Sequence, residues 1–347
     1  MVDQLPVKES LFRRMLPGLT LMFAAPMIAE VLPGATRMSS IFVFPLEFII
    51  WGGGALVVRA LVRRQQLGWA NLLLLAVALS LSEELLIHQT SLAPVIIKLK
   101  GVEYARAFGV NYVYLTWAVL YEVIFVVFIP VALVELVFYE RRDETWLNAA
   151  GAAILALLFV PACFLAWFLW THIVREKVLH LEPYIAPTSY MIVSAAVIAV
   201  LIWLAIGPAA RTLAQKSEGL RPPWPPAMFV FSGIASVAIY FLILLGFGIW
   251  TEFPPVAAVG IGVALAAIIV GLLPRFCAHE TWGVWHTIAV LYGTTLTMIG
   301  VFFFGFQGSS AVDFYGKVVV DVIALLWMAW FALSLRKSPR NIVHVDA

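Results

Sequence analysis

Two adjacent carboxyls and an imidazole stand in the run Ser80-Leu81-Ser82-Glu83-Glu84-Leu85-Leu86-Ile87-His88-Gln89, which closes an otherwise apolar stretch over 68–80. On α-helical geometry Ser80, Glu84 and His88 share one face at i, i+4 and i+8, and Glu83 points about 100° away. A carboxylate beside an imidazole can share a proton, bind a cation or polarise a water. Such groups are costly inside an apolar span and mark sites or pathways there. The plainer reading is a helix that has reached the membrane surface, its last turn simply wet.

What must position these groups follows from composition. The chain has 347 residues, 63% hydrophobic and 12% charged, with a net charge of +2. Soluble domains carry about 25% charged residues, so this reads as a polytopic all-α membrane protein whose main partner is the lipid bilayer. The near-neutral balance gives no basic stripe for nucleic acid. Two cysteines, Cys163 and Cys277, offer no disulfide framework and no cysteine-based metal cluster, and nothing indicates a cofactor.

Apolar runs of about 20 residues predict ten spans in a single membrane domain: 15–32, 41–63, 68–89, 110–138, 147–172, 187–208, 226–249, 255–274, 282–306 and 315–335. Most of the 22 Lys and Arg fall on one side of this arrangement, among them Lys8, Arg13, Arg14, Arg63, Arg64, Arg141, Arg142, Arg211, Lys216, Arg221, Arg275, Lys337 and Arg340. The other side holds Arg37, Lys98, Lys100, Arg106, Arg175, Lys177 and Lys317. The positive-inside rule then puts both termini in the cytoplasm, as expected in a bacterial cytoplasmic membrane. Trp69, Trp146, Trp170, Trp250 and Trp282 belong to an aromatic belt at the interfaces. Pro26, Gly52-Gly53-Gly54, Pro130 and Pro161 disturb four of the spans, as broken helices do around substrate sites. The loop 90–109 reads as an interfacial helix.

Placed by depth, the intramembrane acids are one-sided. Glu47 lies roughly 9 Å below the outer end of its span at about 1.5 Å per residue, and Glu122 is near the midplane of the fourth. Asp321 is in the outer part of the tenth, Glu83, Glu84 and His88 end the third, and Glu30 ends the first. The set points to a polar cavity opening away from the cytoplasm, with Glu47, Glu83, Glu84, His88, Glu122 and Asp321 as substrate- or ion-binding residues. Alternatively each acid pairs locally with Arg37, Lys98, Arg106 or Lys317. A second polar group, His279 and His286, falls at i and i+7 on one helix face around Trp282. Two turns put these histidines about 10 Å apart, too far for one metal, and a helix start with snorkelling side chains is the expected role.

The run from Glu83 to Gln89 resembles the Glu-Glu-x-x-x-Arg motif of the CPBP/CAAX type of glutamic intramembrane protease, with His88 where that family has arginine. The resemblance implies glutamates that activate water and histidines on later helices. The family's Phe-x-x-x-His position falls here at Trp117 to Tyr121-Glu122. The segment Gly-Gly-Gly-Ala-Leu-x-x-Arg over 52–59 also resembles uncharacterised multi-pass bacterial proteins, which implies no activity. Three functions are therefore expected in competition. They are a proton- or cation-coupled small-molecule transporter, a CPBP-like protease or other lipid-facing hydrolase, and a non-catalytic accessory subunit of a membrane complex.

Overall fold

The computed structural model describes residues 10–94, 104–208, 210, 219–306 and 308–336. Among these, ten helices are long and apolar enough to cross a membrane: α1 Leu11–Val31, α2 Met38–Arg64, α3 Trp69–Ile87, α4 Tyr112–Val137, α5 Ala149–Val178, α6 Thr188–Ile206, α7 Pro225–Gly246, α8 Pro255–Cys277, α9 Val284–Phe304 and α10 Ala311–Arg336. Each overlaps one predicted span. The largest departure is α5, which runs to Val178 because its last ten residues continue as a π-helix through Arg175 and Lys177. The architecture is that of a multi-pass integral membrane protein.

The middle of the bundle is α4, whose most apolar window is 78% buried against 17% for α5, α6 and α8. It packs on α1, α3, α7 and α8. Its buried face includes Val123, Phe125, Val127, Ile129 and Val131, a ring too complete for a one-sided helix stripe and proper to a helix surrounded by others. The poorly buried spans form the rim, where the apolar side chains of Leu157, Val256 and Leu326 stay exposed as lipid contact requires.

Helix disturbers in the sequence mark where the inner spans change geometry. Pro26 has no N–H for the Met22 carbonyl one turn back, and α1 becomes π-helical immediately afterwards, at Met27–Val31. Gly52 packs directly on the Met22 backbone, so that a Cβ there would overlap the freed carbonyl. The gap left by a proline on one span is thus filled by a glycine on the next. Pro130 likewise follows the π-helical Glu122–Phe128. Pro161 differs: α5 passes it as regular α-helix.

At one end of the bundle Arg59 is fully buried. Its Nε donates to Glu135 at 2.9 Å, its Nη1 to the Glu144 carbonyl at 3.0 Å and its Nη2 to the Arg142 carbonyl at 2.5 Å. The guanidinium lies over the Trp146 ring, and Arg63 gives Glu135 a second partner at 2.5 Å. Glu135 is therefore a paired structural acid.

At the opposite end the predicted interfacial helix over 90–109 is not found where the chain is described; residues 95–103 lie outside the described residues. Two short antiparallel strands stand there instead, β1 Arg106–Ala107 and β2 Val110–Asn111. Arg106 ties them down through the Leu92, Ala93 and Gly109 carbonyls at 2.6, 2.6 and 2.8 Å. The alternation of a two-residue turn with positive φ at Phe108 and Gly109 is hairpin chemistry.

Candidate functional site

Four inner spans each carry an acid at a π-helical segment. Glu30 lies within Met27–Val31, Glu47 immediately precedes Phe48–Gly52, Glu83 opens Glu83–Ile87 and Glu122 opens Glu122–Phe128. A π-turn closes i→i+5 hydrogen bonds, widens the helix and recurs at functional sites. Here it also re-aims side chains.

The re-aiming corrects the expected Glu84–His88 pair. The His88 N–H bonds the Glu83 carbonyl at 2.8 Å, an i+5 closure that brings His88 round to Glu83. His88 Nδ1 and Glu83 Oε1 are 3.4 Å apart. The imidazole sits between two indoles, with ring centres 5.6 Å from Trp51 and 5.2 Å from Trp170. Glu84 turns to the following loop and accepts from both the Ser91 amide and the Ser91 hydroxyl at 2.5 Å.

That loop is tightly held. Gln89 accepts from the Ala186 amide at 2.7 Å, and Trp170 Nε1 donates to Thr90 Oγ1 at 2.9 Å. The Asn111 amide reaches the Ser91 carbonyl at 2.9 Å. Gln89, Thr90 and Ser91 are all buried, so residues that read as a wet helix end are packed.

The acids come within electrostatic reach of one another across the spans: Glu122 with Glu83 and Glu84, and Glu30 with Glu47 and Glu83. Thr36 donates its hydroxyl to Glu47, and Tyr121 donates to the Ala29 carbonyl at 2.6 Å, fastening α4 to the π-helical end of α1. By strict geometry one oxygen each of Glu47 and Glu122 and the Ser80 hydroxyl are buried without a partner. Glu47, Glu83 and Glu84 are buried, while Glu30, Glu122 and His88 keep partial exposure. Among the described residues no Lys or Arg is found among the groups acting on these five carboxyls.

Local basic partners are accounted for elsewhere. Arg37 lies over Phe306 and Arg106 holds backbone carbonyls; Lys98 and Lys100 lie outside the described residues. Asp321 is not brought into the cluster. Lys317, one turn earlier on α10, binds it at 2.5 Å in a buried pair. Nor do His279 and His286 share a helix face. Gly283 is extended and α9 starts only at Val284, so His279 lies in the preceding turn against Thr281. His286 Nδ1 accepts from the Gly283 amide at 3.3 Å, which makes it part of the helix start. Among the described residues no group of three His, Cys, Asp or Glu is arranged to hold a metal ion.

A cavity with about 50 Å³ of water-sized space lies on another side of the same α4 segment, among Ile124, Phe128, Met228, Ser232, Ser236 and Thr294. It does not touch the carboxyls. Sequence reasoning passed over Ser91, Thr36, Trp51 and Trp170 as site residues. Only the helix-disturbing Pro26 and Gly52 signalled that neighbouring spans meet closely here.

Comparison of the chain with protein-family models, curated proteins and solved structures gives no match.

Proposed function

We propose that the chain is a proton- or cation-coupled small-molecule transporter of a bacterial cytoplasmic membrane, with both termini cytoplasmic and the carboxyl cluster reached from the outer side. The supporting observation is that Glu30, Glu47, Glu83, Glu84 and Glu122, from four spans, lie within electrostatic reach of neighbouring acids with no Lys or Arg among their described partners. Five carboxyls in such a place need protons or a bound cation to balance them, because uncompensated charge inside a bilayer protein is costly. A group that exchanges its balancing ion with one side at a time is the working part of a coupled carrier. The π-helical turns in α1, α2, α3 and α4 supply the irregular helices on which such carriers build their sites.

The test is flux in reconstituted vesicles. Glu122→Gln removes the charge of the most central acid and is expected to abolish proton- or sodium-driven flux while the protein stays folded. Folded Glu122→Gln protein with unchanged coupled flux would sink the reading.

One observation favours a hydrolase instead, in line with the CPBP resemblance. Glu83 and His88 stand 3.4 Å apart, and a carboxylate–imidazole pair can polarise a water. On that reading Glu122→His preserves or improves cleavage of a membrane peptide, and flux is absent. Absence of both flux and cleavage in folded protein leaves the accessory-subunit role.

A further inference from the structure

We propose that one acyl chain of an anionic phospholipid occupies the cavity between α4, α7, α8 and α9, with its headgroup at Arg221 and Arg275. The inference goes beyond the transporter reading and does not depend on it.

The cavity selects the tail. It holds about 50 Å³ of water-sized space among Ile124, Phe128, Met228, Ser232, Ile269 and Leu273. That is room for more than one water, since about 10–15 Å³ suffices for one, yet water is a poor guest. The Ser232 hydroxyl donates to the Phe229 carbonyl at 3.0 Å and the Ser236 hydroxyl to the Ser232 carbonyl at 2.8 Å. Both donors are thus spent within α7, and most of the lining is hydrocarbon. A void of this kind forfeits the dispersion contacts of its walls until something apolar fills it. The lining turns outward at Phe231, which is exposed, and at Ala235 and Leu273, which are partly exposed. The mouth therefore lies between α7 and α8 at the surface of the bundle, where a bilayer supplies hydrocarbon tails.

The end of the same seam selects the headgroup. The Leu220 amide bonds the Arg275 carbonyl at 3.0 Å, which holds the segment before α7 against the end of α8 and brings Arg221 close to Arg275. Both arginines are exposed, as is Trp224 at the cap of α7. Glu280, exposed in the turn after α8, offsets part of this charge, and two guanidiniums against one carboxylate leave the end of the seam positive. Basic residues at this level attract anionic headgroups, and a tryptophan at a helix end anchors at the same depth. The depths agree. Ser232 lies roughly 12 Å along α7 from Trp224 at about 1.5 Å per residue, and the tails of one leaflet span about half of a hydrocarbon core of about 30 Å. A tail whose headgroup sits at the arginines reaches the cavity.

Photo-crosslinking separates this site from the ordinary lipid coat. The purified protein is placed in nanodiscs with phosphatidylglycerol that carries a diazirine midway along one tail, and labelled residues are read by peptide mass spectrometry. Ile124 and Phe128 are buried, beyond the reach of lipid that merely surrounds the bundle, and labelling is expected there. The phosphatidylcholine analogue should label them at least about fivefold less, as should phosphatidylglycerol in the double variant Arg221→Gln/Arg275→Gln, because each surface arginine is worth about a fivefold preference for an anionic lipid. Ala235→Phe narrows the mouth and should abolish labelling at Ile124 and Phe128 while Leu157, on the rim, is labelled as before. If Ala235→Phe does not fold, Ala235→Leu serves with the same expectation. Label confined to exposed positions such as Phe231 and Leu157, equal labelling by the two lipids, or unchanged labelling in the narrowed variant overturns the proposal.

Discussion

Glu83 and His88 make contact across five residues, not four: the Oε1–Nδ1 separation is 3.4 Å and the His88 amide closes on the Glu83 carbonyl. That single extra residue per turn decides which glutamate faces the histidine. It sends Glu83 to His88 and leaves Glu84 to anchor the loop at Ser91. The neighbouring acids Glu83 and Glu84, alike in sequence, thereby acquire different surroundings.

Because a π-turn accommodates one residue more than an α-turn, removing one of its residues should be cheap. Deleting Leu85 puts Glu83 four positions before His88, so the pair stays on one face of a regular helix. Deleting Leu74, in the α-helical part of α3, rotates everything beyond it by about 100°. The expected outcome is folded protein from the first deletion and little or none from the second, read by detergent-solubilised yield on size exclusion. Equal yields would mean that the π-turn does not set the register.

The Arg59–Glu135 pair should behave as a structural unit. Glu135→Ala leaves the fully buried Arg59 without its carboxylate, and breaking a buried pair in this way costs about 3–5 kcal/mol. Arg63→Ala should cost less, since Arg63 is partly exposed and Glu135 keeps Arg59. Thermal unfolding in detergent should rank the two variants in that order; the reverse order would mean that Arg63 is the true counter-ion.

The span count and most boundaries were legible in the sequence because lipid-facing helices must be apolar for a fixed length. Which acids come together was only half legible. Depth alone selected Glu47, Glu83, Glu122 and Asp321 equally, yet Asp321 has Lys317 one turn away and needs no distant partner, a relation visible at i, i+4 on α10. The Glu83–His88 contact was illegible because nothing in the local sequence announces a π-turn. His279 and His286 were misplaced for a similar reason: Gly283 breaks the register between them.

Close approach of α1 and α2 predicts a sharp contrast between glycines. At Gly52 a Cβ would overlap the Met22 backbone, which cannot swing aside as a side chain would. Gly52→Ala should cost at least about 1–3 kcal/mol as overpacking does and lower the melting temperature. Gly68, before α3, has open space where its Cβ would lie, so Gly68→Ala should leave stability nearly unchanged. Similar melting temperatures for the two variants would contradict the α1–α2 packing.

Orientation provides the last prediction. With ten spans, the loop after α4 lies on the same side as the N-terminus, and the loop after α7 lies opposite. Asp143, whose side chain is 83% exposed, and Glu252, also exposed, are suitable positions in these loops. Glu83, His88 and their aromatic flank lie toward the second side, since α3 ends there. By the positive-inside rule, the excess of Lys and Arg near the first side predicts that it faces the cytoplasm. In a variant with Cys163 and Cys277 replaced by alanine, a membrane-impermeant maleimide added to sealed cells should label Glu252→Cys strongly and Asp143→Cys only after the membrane is opened. Strong labelling of Asp143→Cys in sealed cells would invert the protein. The Glu83–His88 end of the carboxyl cluster would then face the cytoplasm, and an ion bound there would enter from that side.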